Sequence, residues 1–443
     1  MLDFSARASP SLRNPTSFCY KSLLFGELLQ VAIAICEKFI YENLDKCTRS
    51  HREDMGELIG LPYPYTVPSI SGGFQEMYYW DTYFTNVGLI LSGRTEQAKN
   101  NVDNIIYLTD KYGYMPNGNL TRYLKSSQPP FLSLMVRDIY DRTGDSDWLK
   151  TAAAALEKEY NFWCVRRSTV CGLNRYGVNR EKPGCEGMDA ELSKRLGINP
   201  PIETAELKIE HFIANCESGW DLTPRFEFEA FNYAPIDLNC LLYALESNMA
   251  YFCGETGAAN AGEWQKRAEN RAELMRRLMK NADGCFYDCN FNKNRLSPVF
   301  SAASLFPLFV GMATAAEAAA AVKALPRLEE KYGVAACAKN SIPGNYQWDY
   351  PNGWACLQFI AAEGLLKYGY TEDARRIAEK YITATDGIFA ETGNLWEKYN
   401  VIDGTINTRN EYKLPPMLGW TAGTYLYMKR LLGTAEPQRA MHP

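Results

Sequence analysis

Apolar residues recur at helical spacing through most of this chain. Ala98, Val102, Ile105 and Ile106 form one stripe, Trp264, Ala268, Ala272, Met275 and Met279 a second, and Trp354, Leu357, Ala361, Leu365 and Tyr368 a third. Each is the face an amphipathic helix turns to a core. Glu76, Trp80, Tyr83 and Phe84 share the same spacing. Further helices are expected at about 22–43, 130–142, 147–165, 236–253, 314–330, 371–383 and 418–432. Between them lie Tyr112-Gly113-Tyr114-Met115-Pro116-Asn117-Gly118-Asn119, Asn199-Pro200-Pro201 and Ser341-Ile342-Pro343-Gly344-Asn345, all rich in turn formers.

No βαβ alternation appears, no GxGxxG follows a strand, and no linker rich in Gly, Ser or Pro divides the 443 residues. A single all-α domain is expected over 21–435, with residues 1–20 a tail without order and 436–443 a second tail. An α-solenoid and a closed barrel of paired helices both suit this helix count. A solenoid carries a fixed repeat, and none is present. The segments richest in chemistry lie far apart, in loops or at helix starts, and a closed toroid brings such loops to one end. The barrel is the expected fold.

Hydrophobic residues make up 46% and charged ones 22%, enough for a large core. A net charge of −5 with no Lys/Arg block argues against nucleic acid and against an anionic membrane as partners. Thirteen cysteines without a CxxC pair, and only His51, His211 and His442, leave no zinc pattern and little room for a histidine-based triad. No metal or organic cofactor is implied. Met1 to Pro15 is polar, and the apolar run from Ser22 to Ile40 is broken by Glu27, Gln30 and Glu37, so neither a signal peptide nor a membrane span is read. With unpaired thiols, this predicts a cytoplasmic protein.

Four segments mix aromatics with acids or amides: Gly72-Gly73-Phe74-Gln75-Glu76-Met77-Tyr78-Tyr79-Trp80-Asp81-Thr82-Tyr83, Cys216-Glu217-Ser218-Gly219-Trp220-Asp221, Gln347-Trp348-Asp349-Tyr350-Pro351-Asn352-Gly353-Trp354, and Leu395-Trp396-Glu397-Lys398-Tyr399. That is the chemistry of a sugar site. A ring face covers the C–H face of a pyranose, while carboxylates and amides bond its hydroxyls. Asp221 follows an indole, an environment that favours a protonated general acid. It also stands where a helix N-cap would, before Leu222, although Pro224 comes soon after. Glu397 precedes Lys398, whose charge favours the ionised form a general base needs; an ordinary solvated Glu–Lys pair reads the same way. Asp81 lies within an aromatic run and must find a partner. Asn117-Gly118-Asn119 and Ser127-Gln128-Pro129-Pro130 supply amides on stiff loops, equally readable as an Asx turn and a helix entry.

The first and third segments closely resemble the two signatures of the trehalases, glycoside hydrolase family 37. Pro116-Asn117-Gly118-Asn119, Ser127-Gln128-Pro129-Pro130, Glu217-Ser218-Gly219-Trp220-Asp221, Asp237-Leu238-Asn239, Glu397-Lys398-Tyr399, and Glu411-Tyr412 before Gly419-Trp420-Thr421 follow in the family's order. The likeness runs from about Leu23 to Leu432. It implies an (α/α)6 barrel that hydrolyses an α-glucosidic bond with inversion, acting on a small carbohydrate such as trehalose. The family's general acid falls on Asp221 and its general base on Glu397. Its sugar contacts fall on Trp80, Asp81, Asn117, Ser127, Gln128, Gly219, Glu203 and Glu411, with Phe74 and Trp348 added from the signature segments.

The departures concern cations. The family's Gly-Gly-Arg-Phe is Gly72-Gly73-Phe74 here, Ser126 replaces the Arg before its Ser-Gln-Pro-Pro, and Leu120 follows Asn119 where the family has Arg. Its Arg-Pro-Glu has become Pro201-Ile202-Glu203, and Asn407-Thr408-Arg409-Asn410 replaces its Gly-rich loop. Three of the lost arginines are substrate contacts in the family, each worth on the order of 1.5–3 kcal/mol per charged hydrogen bond. Arg122, Lys125 and Arg409 are the nearby candidates to replace them. Three alternatives stay open: a silent sugar-binding relative, an (α/α)6 enzyme acting on another sugar such as an α-mannoside, and an epimerase or lyase. The last would need a histidine inside a motif.

Overall fold

The computed structural model describes residues 35–178, 188–410, 413, 415–416 and 418–433. The two expected tails, 1–20 and 436–443, lie outside these residues. In chain order the helices are α1 (35–43), α2 (Tyr79–Leu91), α3 (Thr95–Tyr112), α4 (Leu132–Thr143), α5 (Ser146–Arg166), α6 (Met188–Leu196), α7 (Ala205–Glu217), α8 (Ile236–Thr256), α9 (Ala261–Met279), α10 (Phe306–Phe309), α11 (Ala315–Ala324), α12 (Ala355–Lys367), α13 (Thr371–Thr392) and α14 (Gly419–Gly433).

Six of them form an inner ring. α2, α4, α8, α10, α12 and α14 each touch the next, and α14 closes on α2. Outside it, α3 lies against α2 and α4, α5 against α4 and α8, α9 against α8, and α13 against α12 and α14. Phe39 of α1 meets Phe389 of α13 with centroids 5.0 Å apart, and Arg276 of α9 reaches Glu317 of α11 at 3.1 Å. The expected (α/α)6 barrel is the observed fold.

The inner helices run parallel. The Leu132 N–H donates to Tyr79 Oη at 3.0 Å where α2 and α4 begin, and Asn86 reaches Met135 a turn or two later. Asn248 bonds Ser133 and Tyr140 bonds Glu255 between α4 and α8. Thr424 bonds the Ala355 carbonyl and Tyr427 bonds Glu363 between α14 and α12. Their N-terminal ends therefore share one end of the barrel. Closure relies on backbone contact: a Cβ on Gly88 would lie 2.8 Å from Gly423 Cα, and one on Gly423 would run into the Phe84 carbonyl. Only glycine lets α2 and α14 approach so closely.

The lumen is filled with rings. Tyr83 stacks on Phe131 at 4.8 Å, Phe84 meets Phe359 edge-on at 5.7 Å, and Phe359 meets Tyr427 at 4.6 Å. Each buried ring contributes roughly 2–3 kcal/mol over exposure. A filled lumen leaves the ends of the barrel as the place for a site.

Most expected helices are present, with three informative differences. The helix expected to 330 stops at Ala324, because Pro326 cannot donate to an α-helix and turns the chain into a 3-10 segment, Leu325–Arg327. The helix expected to end at 383 continues to Thr392. Thr383 and Thr385 bond the carbonyls of Glu379 and Tyr381 four residues back, so these β-branched residues are accommodated. The third difference is α6 and α7, which the apolar pattern did not foresee.

Candidate active site

The loops preceding the inner helices meet at their N-terminal end, and tryptophan forms the floor there. Trp348 and Trp354 stack face to face at 3.6 Å, Trp220 lies 5.1 Å and Trp80 5.6 Å from Trp348, and Trp420 stands edge-on to Trp80, Trp348 and Trp354 at 5.8, 6.3 and 5.8 Å. All five are buried. The open stacking surface anticipated from the sequence is instead a packed base, with Trp80 and Trp348 inside it. Phe74 is half-buried, with φ 58°, and meets Tyr78 edge-on at 5.7 Å.

Glu217 ties three loops to this floor. Its carboxylate accepts from Arg167 Nε and Nη2 at 2.7 Å each, from the Ser127 N–H at 2.7 Å and from the Gly177 N–H at 2.6 Å, all buried. Ser127 Oγ donates to the Met115 carbonyl at 2.6 Å, and the Asn117 carbonyl accepts from the Tyr79 N–H at 3.0 Å. Gln128 Oε1 accepts from the Trp80 N–H at 3.2 Å. The amide-bearing loops therefore hang directly on the start of α2.

Beyond Glu217 the chain turns through Gly219, with φ +73°, where a Cβ would meet the Trp80 indole at 2.8 Å. Trp220 lies under the Arg225 guanidinium at 4.3 Å, and Arg225 is held by buried Asp237 and Asp288 at 2.8 Å each. Asp221 follows, half-buried. It caps no helix: Leu222 adopts φ 53°, and Thr223 caps the 3-10 turn Pro224–Phe226. The Leu222 N–H donates to Asn215 at 2.6 Å, and its carbonyl accepts from the Trp348 N–H at 3.3 Å, which docks the Asp221 loop on the third signature segment.

Glu397 joins the same web of contacts through its neighbours. The strand Asn352–Trp354 pairs antiparallel with Lys398–Asn400, setting Trp354 beside Lys398. Lys398 Nζ donates to Glu397 Oε2 at 2.9 Å and to Gln347 Oε1 at 3.0 Å, and lies 4.7 Å from the Trp354 ring. The Trp420 indole N–H donates to the Glu397 carbonyl at 3.2 Å. Glu397 and Asp81, in the first turn of α2, are both buried. Burial, and then the charge of Glu397, push the Asp81 carboxyl up to about 7. Glu397 and Lys398 thus form a buried pair rather than a solvated Glu–Lys stretch.

Trp80 and Asp81 in the first turn of α2, and Phe74, Asn117, Ser127, Gln128, Gly219, Asp221, Trp348 and Glu397 in connected loops, thus lie at one barrel end. Glu203 does not join them: it is exposed on the loop ahead of α7. Glu411 lies outside the described residues. Sequence reasoning missed the roles of Glu217 and Gln347, although both stand in the quoted segments. Their partners, Arg167 and Lys398, are fifty or more positions away, so no local signal pairs them.

Of the candidate replacement cations, Arg122 pairs with Glu57 at 2.7 Å, both side chains half-exposed, and Lys125 is exposed. Arg409 reaches Asp349 at 3.2 Å, with its backbone clamped to Asn352 on both sides. Arg49 braces the Gly72-Gly73-Phe74 loop through the Ile70 carbonyl and Gln75. His51 bonds Tyr65, while His211, pushed down to about 4 by burial, bonds the Phe231 N–H through Nδ1. His442 lies outside the described residues.

An (α/α)6 barrel carrying buried carboxyls at the N-terminal end of its inner ring suits a glycoside hydrolase, and the comparisons show the family. The trehalase family model matches residues 28–433, and the chain belongs to that family. A periplasmic trehalase of Xanthomonas campestris pv. campestris is 36% identical over 403 residues, covering 84% of this chain and 69% of that protein. A putative periplasmic trehalase of Salmonella typhi is 34% identical over 420 residues, covering 88% and 72%. Among solved structures, the neutral trehalase of Saccharomyces cerevisiae superposes with a TM-score of 0.73 at 29% identity, over 91% of this chain and 81% of that one. A mannosylglycerate hydrolase of Thermus thermophilus shares the fold, with a TM-score of 0.61 at 16% identity over 89% of this chain and all of that one.

The Xanthomonas and Salmonella relatives overturn the expected cytoplasmic location, since they are named periplasmic trehalases. The reasoning from thiols fails for a physical reason. Cys36, Cys47, Cys240, Cys253, Cys285, Cys289, Cys337 and Cys356 are buried and unpaired. They act as small apolar core residues and so report packing rather than redox compartment.

Proposed function

We propose that this glycoside hydrolase cleaves α,α-trehalose with inversion, Asp221 serving as general acid and Glu397 as general base. One observation carries the reading: the loops of Asp221 and Glu397, 176 positions apart in sequence, converge on one tryptophan floor through Trp220, Trp348 and Trp354. In this reading Glu397 takes a proton from water as its oxygen attacks the anomeric carbon, and Asp221 gives a proton to the departing glycosidic oxygen. The water needs room, so the two carboxyls should stand roughly 6.5–9.5 Å apart. Asp81, Gln128 and Asn117 would bond hydroxyls, and the resemblance alone adds Glu411 to that set. The compartment we infer is the periplasmic one named for the relatives.

Proton NMR of the first turnovers tests this. Inversion releases one β- and one α-glucose from each trehalose; retention would release α-glucose alone and remove Glu397 as base. Asp221→Asn should keep trehalose binding while lowering kcat by roughly 10²–10⁴-fold, and a variant with full turnover would remove Asp221 as acid.

A further inference from the structure

Consecutive residues of extended chain point to opposite faces, so Lys398 would ordinarily turn away from Glu397. Here its long stem brings Nζ back to Glu397 Oε2 at 2.9 Å. Two fixtures hold it there: Gln347 Oε1 accepts at 3.0 Å and the Trp354 ring lies 4.7 Å away. Register fixes the ring, because Trp354 pairs directly with Lys398 across the two strands. The ammonium is fully buried and Glu397 is 4% exposed.

We propose that Lys398 is a positioning residue for the hydrolytic water, fixing Glu397 in orientation and in its ionised form. This deepens the reading of Glu397 as general base and rests on it. The groups facing Glu397 explain why a cation is needed. Asp81 of α2 and Cys356 of α12 lie within its electrostatic reach, and neither attracts a negative charge. A buried carboxylate beside another acid tends to take up a proton, and a protonated Glu397 cannot accept one from water. A charge-assisted hydrogen bond from Lys398 favours the carboxylate and selects its rotamer. Lysine supplies a compact point charge that Glu397 and Gln347 share.

The test is the pH profile of trehalose hydrolysis. In Lys398→Met the acid limb of kcat/KM should move up by about one pH unit or more. At neutral pH kcat should fall roughly 10- to 100-fold while KM changes less than about threefold. Lys398→Arg should return the limb towards the parent position. A merely structural role would lower the melting temperature of Lys398→Met and leave its limb in place, and that result overturns the proposal. If Lys398→Met does not fold, Gln347→Met removes one fixture and keeps the cation. Its limb should then move in the same direction by less, and an unmoved limb overturns the proposal equally. Glu397→Gln separates the two readings. Retained turnover in that variant refutes Glu397 as base, whereas an inactive Glu397→Gln beside an unshifted Lys398 variant refutes only the role of Lys398.

Discussion

Glu217 carries more structural weight than either carboxyl assigned to chemistry, and Glu217→Gln should expose it. The carboxylate accepts four hydrogen bonds of 2.6–2.7 Å from Arg167, Ser127 and Gly177, and neither it nor Arg167 is more than 2% exposed. The amide removes the negative charge and turns an N–H towards donors, leaving the Arg167 guanidinium buried without its counter-ion. Breaking a buried pair in this way costs about 3–5 kcal/mol. For a chain of this length, with unfolding entropy near 2.1 cal/mol/K per residue, that lowers the melting temperature by about 3–5 °C. Differential scanning calorimetry measures it. KM for trehalose should rise as well, because the loops of Gln128 and Asp221 lose their common anchor. Arg167→Met combined with Glu217→Gln should cost less than the two single changes added together, since the double variant leaves no lone charge. A Glu217→Gln protein melting within about 1 °C of the parent with unchanged KM would refute the clamp.

Asp81→Asn should flatten part of the stability–pH curve. A carboxyl raised from 3.8 to about 7 favours the folded state below pH 4 and loses that contribution as pH rises through 7, so at pH 8 the asparagine variant should be more stable by up to about 4 kcal/mol, read by urea unfolding at both pH values. Gly423→Ala should force α14 off α2, lowering the melting temperature by several times the effect of Gly433→Ala, where an added Cβ meets nothing within 4 Å; equal effects would dismiss the closure argument. Arg409→Gln should raise KM for trehalose about three- to tenfold with kcat little changed, whereas Arg122→Gln, which breaks only an exposed pair with Glu57, should change neither; a silent Arg409→Gln would remove it as a replacement for the lost family arginines.

How much of this was legible differs by scale. Most helices are legible in apolar periodicity, clearest on the outer α3 and α9, but α10 of the ring is not, and the closed barrel rests on the absence of a fixed repeat, on the placing of the motifs and on the resemblance to the trehalases. Residue types at the site were equally legible, since Asp221 and Glu397 stand beside tryptophans in short motifs. Two kinds of fact were not. Pairings such as Glu217 with Arg167 and Lys398 with Gln347 depend on which loops the ring brings together, which no local pattern records. The fate of the aromatics was also hidden: a tryptophan beside an acid reads as a stacking surface whether it faces the pit or supports it. Trp348 supports it, covered by Trp354 on one face and flanked by Trp220 and Trp80.

The parallel ring gives the two ends of the barrel opposite electrostatic character, and the loops of the candidate site lie at the N-terminal end. Each long inner helix presents its free N–H groups, equivalent to about half a positive charge, at the same end. Asp81 lies in the first turn of α2, and Glu397 is hydrogen-bonded through its carbonyl to Trp420 in the first turn of α14. Ionised carboxyls are least costly there. Further along, Asp138 of α4 and Glu363 of α12 are buried past the midpoints of their helices. Burial pushes Asp138 up to about 8 against the opposing pull of Arg142, and the Tyr427 hydroxyl donates to Glu363. Burial holds the Asp81 carboxyl up to about 7 even at the N-terminal end, so what sets Glu397 apart there is the Lys398 ammonium at 2.9 Å. In the proposed mechanism the general base works from this end, where the loops of Asp221 and Glu397 converge.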